Sequence, residues 1–382
     1  MIRGNNDESE IIHQMRDSFM HWPQVDGLDE ICSPALLVDP DRVATNVDRM
    51  IDIIGGPASV SRLRPHVKTH KMPDAIRVQL DKGIRQFKTA TLAESEMVAS
   101  AGADDVLLAH QMVGPKIDRL ASMMQEFPET QFSTIVDDCD VVVAIANRMN
   151  RANRSIRLYI DIDCGMHRTG AALGDQVDRV KRQIESTNCV VFGGLHVYDG
   201  HIHDASMESR RDKVAPIIDA VDQYVSRNDV PVVVAGGTPT YPMWANQTLW
   251  QCSPGTPILW DIGYGGDYED LPFDVAAVLL TRIISKPASG LLCFDVGHKS
   301  ISAEMPVQQR LVISGINDAT IVGQSEEHLV VSTSQADNFS VGDPFLAFPR
   351  HICPTVALYP EAYLVQNGKV TGDRWLITAR DH

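Results

Sequence analysis

The sequence predicts a TIM-like β/α barrel of eight parallel strands with a C-terminal all-β domain after it. Three observations point there. From about residue 62 to 256, short β-branched runs alternate with amphipathic stretches. Those runs number eight. Beyond residue 270 strand-like runs continue while the helical stretches between them stop. Strand and helix in strict alternation build parallel sheets, and eight such units close on themselves. An open doubly wound sheet is the competing arrangement of the same units.

Taken in order, residues 1–30 form an N-terminal extension, in which Met15, Phe19, Met20 and Trp22 suggest a packing helix. The barrel domain is placed at 31–265. It opens with the strand ALLVD (35–39) and a helix from Pro40. The eight barrel strands follow as LRPHVK (63–68), QFKTAT (86–91), DVLLAH (105–110), QFSTIV (131–136), RLYIDID (157–163), FGGLHVY (192–198), VPVVVAGG (230–237) and WQCSPGT (250–256). Between them lie helical patterns such as AESEMVASAG and PKIDRLASMMQEF. The β-domain, 266–382, carries FDVAAVLLTRIIS, GLLCFDVG, QRLVISG, HLVVSTS and DPFLAFP separated by turns.

With 382 residues the chain is long enough for one large and one smaller core. Hydrophobic residues at 44% and charged residues at 22% are ordinary for a globular protein. A net charge of −16 disfavours nucleic acid and anionic membrane as partners. No apolar run approaches the roughly 20 residues of a membrane span, and the first residues lack the apolar core of a signal peptide. A cytoplasmic protein is expected. Seven scattered cysteines without CxxC pairs make no disulfide framework, and most are expected to be small buried apolar residues.

Arg64-Pro65-His66-Val67-Lys68-Thr69-His70-Lys71 ends the first barrel strand. Barrel enzymes carry their chemistry at the C-terminal strand ends. A lysine there, on a rigid strand among apolar neighbours, can have its proton affinity lowered and serve as an imine-forming amine. Strand alternation puts His66 on the side of Lys68, so both are candidate catalytic groups. Lys71 reads as an ordinary solvated lysine. After strand seven, Gly236-Gly237-Thr238-Pro239-Thr240 exposes backbone N–H groups at the start of a helix, as a phosphate requires. Ser253-Pro254-Gly255-Thr256 follows at strand eight, where barrels often complete such a site.

RPHVKTHK, IDIDCGMHRTG, the GGTPT loop and the SPGT turn together resemble the pyridoxal-phosphate (PLP) enzymes of the alanine-racemase fold. Within these the chain resembles the branch of D-threonine aldolases and D-serine dehydratases, from about residue 30 to the C-terminus. The resemblance implies that Lys68 holds PLP as an imine and that Arg168 lies near the cofactor's phenolic oxygen. It implies that Gly236, Gly237, Thr238, Thr240, Gly255 and Thr256 hold the phosphate. His196 and Tyr198 would stand beside the ring, His196 as a neutral hydrogen-bond donor to the pyridine nitrogen. It further implies that the 35–39 strand joins the β-domain, and that the protein is a head-to-tail homodimer with its sites between a barrel and the partner's β-domain.

Near the C-terminus, His351-Ile352-Cys353 sets an imidazole and a thiol at i and i+2, which face one way on an extended segment. Sulfur favours zinc over magnesium or calcium; the alternative is a buried cysteine beside an exposed histidine. The aldolase and dehydratase branch carries a metal-binding His-x-Cys or His-x-Asp here, which implies a divalent ion, zinc first, with manganese or cobalt as other choices.

The function so implied is a PLP- and metal-dependent lyase taking a small 3-hydroxy-D-amino acid. Two outcomes differ in the bond broken: retro-aldol cleavage to glycine and an aldehyde, or dehydration of D-serine or 3-hydroxy-D-aspartate to a keto acid and ammonia. Cysteine in the metal pair points to the dehydratases. Residues 198–204, YDGHIHD, look more like an aldolase, with Asp199 where a histidine is expected and His201 and His203 as substitute bases. The reading favours the aldolase. An amino-acid racemase would need an opposing tyrosine, for which Tyr264, Tyr268 and Tyr359 have no motif. A non-catalytic PLP-binding protein is usually a barrel without the β-domain.

Overall fold

The computed structural model of the protein describes residues 22–247 and 249–381. It contains two compact units, residues 22–46 with 258–377, and residues 47–257 with 378–381. The helix expected around Met15, Phe19 and Met20 lies outside the described residues. In chain order β1 (Ala35–Val38) belongs to the first unit.

The second unit contains β2 (Gln86–Thr89), β3 (Asp105–Leu108), β4 (Gln131–Val136), β5 (Ile156–Ile162), β6 (Val190–Val197), β7 (Val233–Ala235) and β8 (Gln251–Cys252). Each pairs in parallel with the next to give a curled seven-stranded sheet. Side chains fill its interior, with Leu107, Ile135, Tyr159 and Val234 in one buried cluster. Helices return the chain between strands, and two of them start at side-chain caps: Thr91 accepts from the Glu94 amide and Asp138 from the amides of Asp140 and Val141.

The eighth member differs from expectation. Residues 63–66 touch β8 and β2 through isolated bridges, Leu63 to Cys252 and His66 to Lys88. The amides of Arg64 and His66 donate to the carbonyls of Cys252 (2.9 Å) and Pro254 (2.8 Å), and the Lys88 amide to that of Pro65 (2.9 Å). Pro65 has no N–H to extend the ladder, and the chain turns into a 3-10 turn, Val67–Thr69. Arg64 is buried and reaches Asp105 (2.6 Å), Gln251 (2.7 Å) and Gln86 (3.0 Å), the opening residues of β3, β8 and β2. It staples the end of the barrel away from the chemistry.

The first unit is a nine-stranded mixed sheet. Its remaining strands are β9 (Ala277–Ser285), β10 (Leu291–Phe294), β11 (Leu311–Ile313), β12 (Thr320–Gln324), β13 (Leu329–Ser332), β14 (Pro344–Pro349), β15 (Glu361–Gln366) and β16 (Lys369–Leu376). β1 lies between β9, to which it is antiparallel, and β15, to which it is parallel. Its Leu36, Leu37 and Val38 are fully buried, as a strand with neighbours on both edges requires. The architecture is thus the alanine-racemase-like one expected, a parallel curled sheet and a separate mixed sheet.

Two expectations need correction. All seven cysteines are unpaired, but only Cys252 and Cys293 are buried; the other five are partly or fully exposed. Lys71 is no solvated residue: its side chain is buried and ion-paired with Glu94, and its Nζ also donates to the Ala379 carbonyl (3.0 Å). Among the described residues, no helix is long and apolar enough to cross a membrane.

Candidate active site

A cavity of about 440 Å³ opens at the C-terminal ends of the parallel strands, lined by His66, Lys68, Lys88, Asp161, His196 and Tyr198 among others, with Arg168 also on its wall. That is where barrel chemistry gathers. Lys68 and His66 share it, but not through strand alternation. Lys68 sits in the 3-10 turn, and its amide donates to His66 Nδ1 (3.3 Å). Nor is Lys68 enclosed by apolar neighbours; it is exposed.

The enclosed amine is Lys88, which the sequence reading did not single out. It is 2% exposed and its Nζ stands 5.4 Å from the centre of the Tyr198 ring. Burial, and next the charge of Lys68, bring its pKa down to about 7. The Arg168 guanidinium lies over the same ring at 5.1 Å. Tyr198 is thus flanked by two cations, an arrangement its π-face favours. His66, for its part, is held well below the ordinary imidazole value by burial and then by Lys68 and Lys88.

His196, near the end of β6, is buried, and its Nδ1 lies 2.6 Å from Asp161 Oδ1 on β5. Thr169 donates to the other carboxylate oxygen (2.8 Å). Burial works to raise the Asp161 carboxyl, but the hydrogen bonds from His196 and Thr169, with the Arg168 guanidinium nearby, outweigh it, and the group ends below its ordinary value. It is therefore an acceptor, and Nδ1 is the donor. Burial lowers the His196 pKa despite Asp161. In the neutral ring Nε2 is then bare. It is buried without a hydrogen-bond partner.

The two phosphate-candidate loops meet. The amides of Gly255 and Thr256 both donate to Thr238 Oγ1 (3.2 Å each). A Cβ on Gly237 would press the Tyr198 ring at 3.2 Å, and one on Gly255 would lie 3.0 Å from the His66 carbonyl oxygen. The loops therefore abut cavity residues on two sides. Gly236 has φ +77 and no room for a Cβ beside Trp244 (2.8 Å), which explains glycine there. The following helix, Tyr241–Trp244, is a single turn, so loop amides rather than a helix terminus are what this corner offers. Thr240 differs from expectation, because its hydroxyl is spent inside the loop: it donates to Asp199 (2.7 Å) and accepts from the Gly237 amide (3.1 Å). Asp199, also bound by Trp244 Nε1 (2.7 Å), is buried and fastens this loop. A pyridoxal phosphate fits these features: an amine, an unpartnered buried nitrogen and a glycine-bearing corner converge.

His201 is half-buried with Nδ1 unpartnered, and it does not line the cavity. His203 is exposed. Asp161 and Lys88 are the site residues missed from sequence, and Asp199, noted there only as a departure from an expected histidine, fastens the loop. Asp161 stands in the quoted IDIDCG run, and its alternation with Ile160 and Ile162 was the available signal.

In the other unit, His351 and Cys353 do come together, though not on an extended segment. His351 immediately precedes, and Cys353 is the second residue of, the short helix Ile352–Val356. Their side chains are in hydrogen-bond contact. Burial opposes charge on His351, but the contacts with Cys353 and Glu304 outweigh it and lift the imidazole to about 9. Glu304 engages Nδ1, which leaves Nε2 and the sulfur as donors. Among the described residues no group of three or more His, Cys, Asp or Glu gathers around a common point. Two donors, one nitrogen and one sulfur, in a part-exposed setting fit an open metal site of the kind that sulfur-tolerant ions such as zinc accept.

Comparison with known proteins adds to this picture. Residues 38–258 match the family model described as "Alanine racemase, N-terminal domain". Residues 276–365 match the one described as "Putative serine dehydratase domain". The chain is 28% identical to a 3-hydroxy-D-aspartate aldolase of Paracoccus denitrificans (strain Pd 1222), over 94% of this chain and 95% of the relative. It is 27% identical to a D-threonine aldolase of an Arthrobacter species, over 93% and 94%. A solved D-threonine aldolase from Filomicrobium marinum superposes with a TM-score of 0.85 at 24% identity, covering 92% of this chain and 96% of that one, and shows the same fold.

Proposed function

This chain belongs to the alanine racemase N-terminal domain family, and from that premise we propose a pyridoxal-phosphate-dependent lyase that cleaves 3-hydroxy-D-amino acids to glycine and an aldehyde. The observation that carries the chemistry is the shared cavity of Lys68 and the unpartnered His196 Nε2. The aldolase direction is supported by the two aldolases aligned over 93–94% of the chain.

Each residue's part follows from its surroundings. Lys68, exposed at the cavity, would be the amine that holds the cofactor. His196 Nε2 accepts a proton-bearing ring nitrogen, and Asp161 fixes the tautomer that lets it do so. Lys88 and Arg168 give the wall a positive potential suited to the phenolic oxygen and the amino acid's carboxylate. The amides about Gly237, Thr238, Gly255 and Thr256 take the phosphate. When bound, PLP supplies the electron sink that stabilises the pair left on Cα. In the cleavage, the hydroxyl loses its proton, Cα–Cβ breaks as the aldehyde forms, and a proton is returned to Cα to give glycine.

His351 and Cys353 are proposed to hold a divalent ion, zinc by donor set, which would lower the pKa of a coordinated hydroxyl. A homodimer completes the reading. The second reading, a dehydratase giving a keto acid and ammonia, is favoured by the match of residues 276–365 and by the cysteine of the metal pair. One product assay separates them. With D-threonine and 3-hydroxy-D-aspartate, glycine and an aldehyde are expected, and EDTA should stop their release. Keto acid and ammonia without glycine would select the dehydratase. Lys68→Ala should lose the yellow absorbance of the protein-bound cofactor; an unchanged spectrum would overturn the assignment.

A further inference from the structure

We propose that Glu304 is the positioning residue of the metal pair: its carboxylate accepts a hydrogen bond from the Nδ1–H of His351 and turns Nε2, beside the Cys353 sulfur, toward the ion. The inference rests on the metal reading above. Histidine ligands need a neutral imidazole with one nitrogen bare, and an acceptor behind the other nitrogen fixes which one. In this chain that acceptor is the Glu304 carboxylate. Its second oxygen is taken by the Ser302 hydroxyl, so both oxygens have partners within the protein.

The surroundings hold this geometry rigidly. The Arg310 guanidinium donates to the carbonyls on both sides of Glu304, Ala303 (2.7 Å) and Met305 (2.8 Å). The Ser302 amide donates to Thr355 Oγ1 (3.1 Å), whose hydroxyl donates to the His351 carbonyl (2.8 Å). The Tyr359 hydroxyl holds the Ser300 carbonyl at 2.7 Å. From the other side, buried Asp261 accepts from the Ile352 amide (3.0 Å). The carboxylate and the imidazole are each fixed through their own backbone, although their side chains are 44% and 39% exposed. An exposed ion pair adds little to stability, so stability alone does not account for a clamp of this extent. Orientation of a ligand does. The charged groups about His351 are Glu304 and Asp261, with Arg350, paired to Asp267 (3.6 Å), next in the chain.

The test measures metal affinity of the full-length, cofactor-loaded protein, with zinc titrated against a chelator and cobalt as a spectroscopic probe of sulfur ligation. Glu304→Ala is expected to weaken zinc about 10- to 100-fold while the cobalt–sulfur band persists. Glu304→Gln, which keeps the acceptor oxygen without its charge, should fall between Ala and wild type. Metal-free thermal midpoints should stay within a few degrees. Affinity within threefold of wild type in Glu304→Ala overturns the inference and leaves the metal reading standing. Loss as complete as in His351→Ala makes Glu304 a ligand and also overturns it. No zinc on the wild type, or binding indifferent to Cys353→Ala, sinks the metal reading itself. Should Glu304→Ala fail to fold, the Gln variant decides: wild-type affinity there overturns the proposal.

Discussion

Replacing Lys88 with methionine should make the cofactor-free protein more stable and a worse enzyme. The amine is 2% exposed, and burial, reinforced by Lys68, moves it from 10.5 to about 7. At about 1.4 kcal/mol for each tenfold change in proton affinity, keeping Lys88 charged costs the fold about 5 kcal/mol. The sign follows from proton counting. Between pH 7 and 10.5 the unfolded chain holds the Lys88 proton and the native protein does not, so stability rises with pH across that window. The penalty is complete below pH 7 and gone above 10.5. Methionine has similar bulk and no charge. Allowing for local relaxation, Lys88→Met should gain about 2–5 kcal/mol at pH 7 and less than about 1 kcal/mol at pH 10. Urea unfolding of cofactor-stripped wild type and variant at both pH values measures this, and turnover of the reloaded variant should drop. A variant less stable than wild type at pH 7, or a gain equal at both pH values, would refute the account of Lys88 as an amine whose burial outweighs its neighbours.

Three further substitutions test other parts of the structure. Asp161→Ala leaves the buried His196 Nδ1–H without an acceptor and should cost about 2–3 kcal/mol and weaken PLP binding in a fluorescence titration. Because the Asp161 carboxyl sits below 3.8, its contribution is present above that pH and lost as acid takes the pH through the folded value; the variant should therefore lose less stability than wild type on acidification, and parallel acid curves would contradict this. Glu94→Gln strands the Lys71 ammonium inside the protein and should cost about 3–5 kcal/mol in urea unfolding; a change under about 1 kcal/mol would show the pair to be dispensable. Gly236→Ala adds a Cβ at φ +77 and 2.8 Å from Trp244. It should cost about 1–3 kcal/mol and lower cofactor affinity, and unaltered affinity would remove the loop from the phosphate site.

The barrel was legible because short β-branched runs alternate with amphipathic stretches: QFSTIV matches β4 residue for residue, and some of the helices between carry their own caps, as at Thr91 and Asp138. Lys68 was legible through RPHVKTHK, and the glycine-threonine loops through their position after strands seven and eight. Lys88 was not. In QFKTAT a lysine between Phe87 and Thr89 reads as the solvent side of an alternating strand, but the inside of a barrel rim is also polar, and alternation does not distinguish the two. Lys71 was misread for a different reason. Its partners, Glu94 and the Ala379 carbonyl, lie 23 and 308 residues away, and no local pattern encodes them. The geometry of His351 and Cys353 was missed because the chain passes from β14 into a short helix, where the relation of i to i+2 is set by the helical turn and not by pleating.

β1 joins the chain's beginning to strands made much later. Leu36 faces Leu279 on one edge and Ala362 on the other, so both hydrogen-bonded neighbours are encoded more than 240 residues downstream. While the nascent chain leaves the ribosome, an entire barrel is synthesised before the first partner emerges, and nearly everything else before the second. Until then an apolar strand of four residues has both edges unsatisfied, the condition that favours mispairing. Pairing of β1 therefore waits until the strands downstream of the barrel have been made.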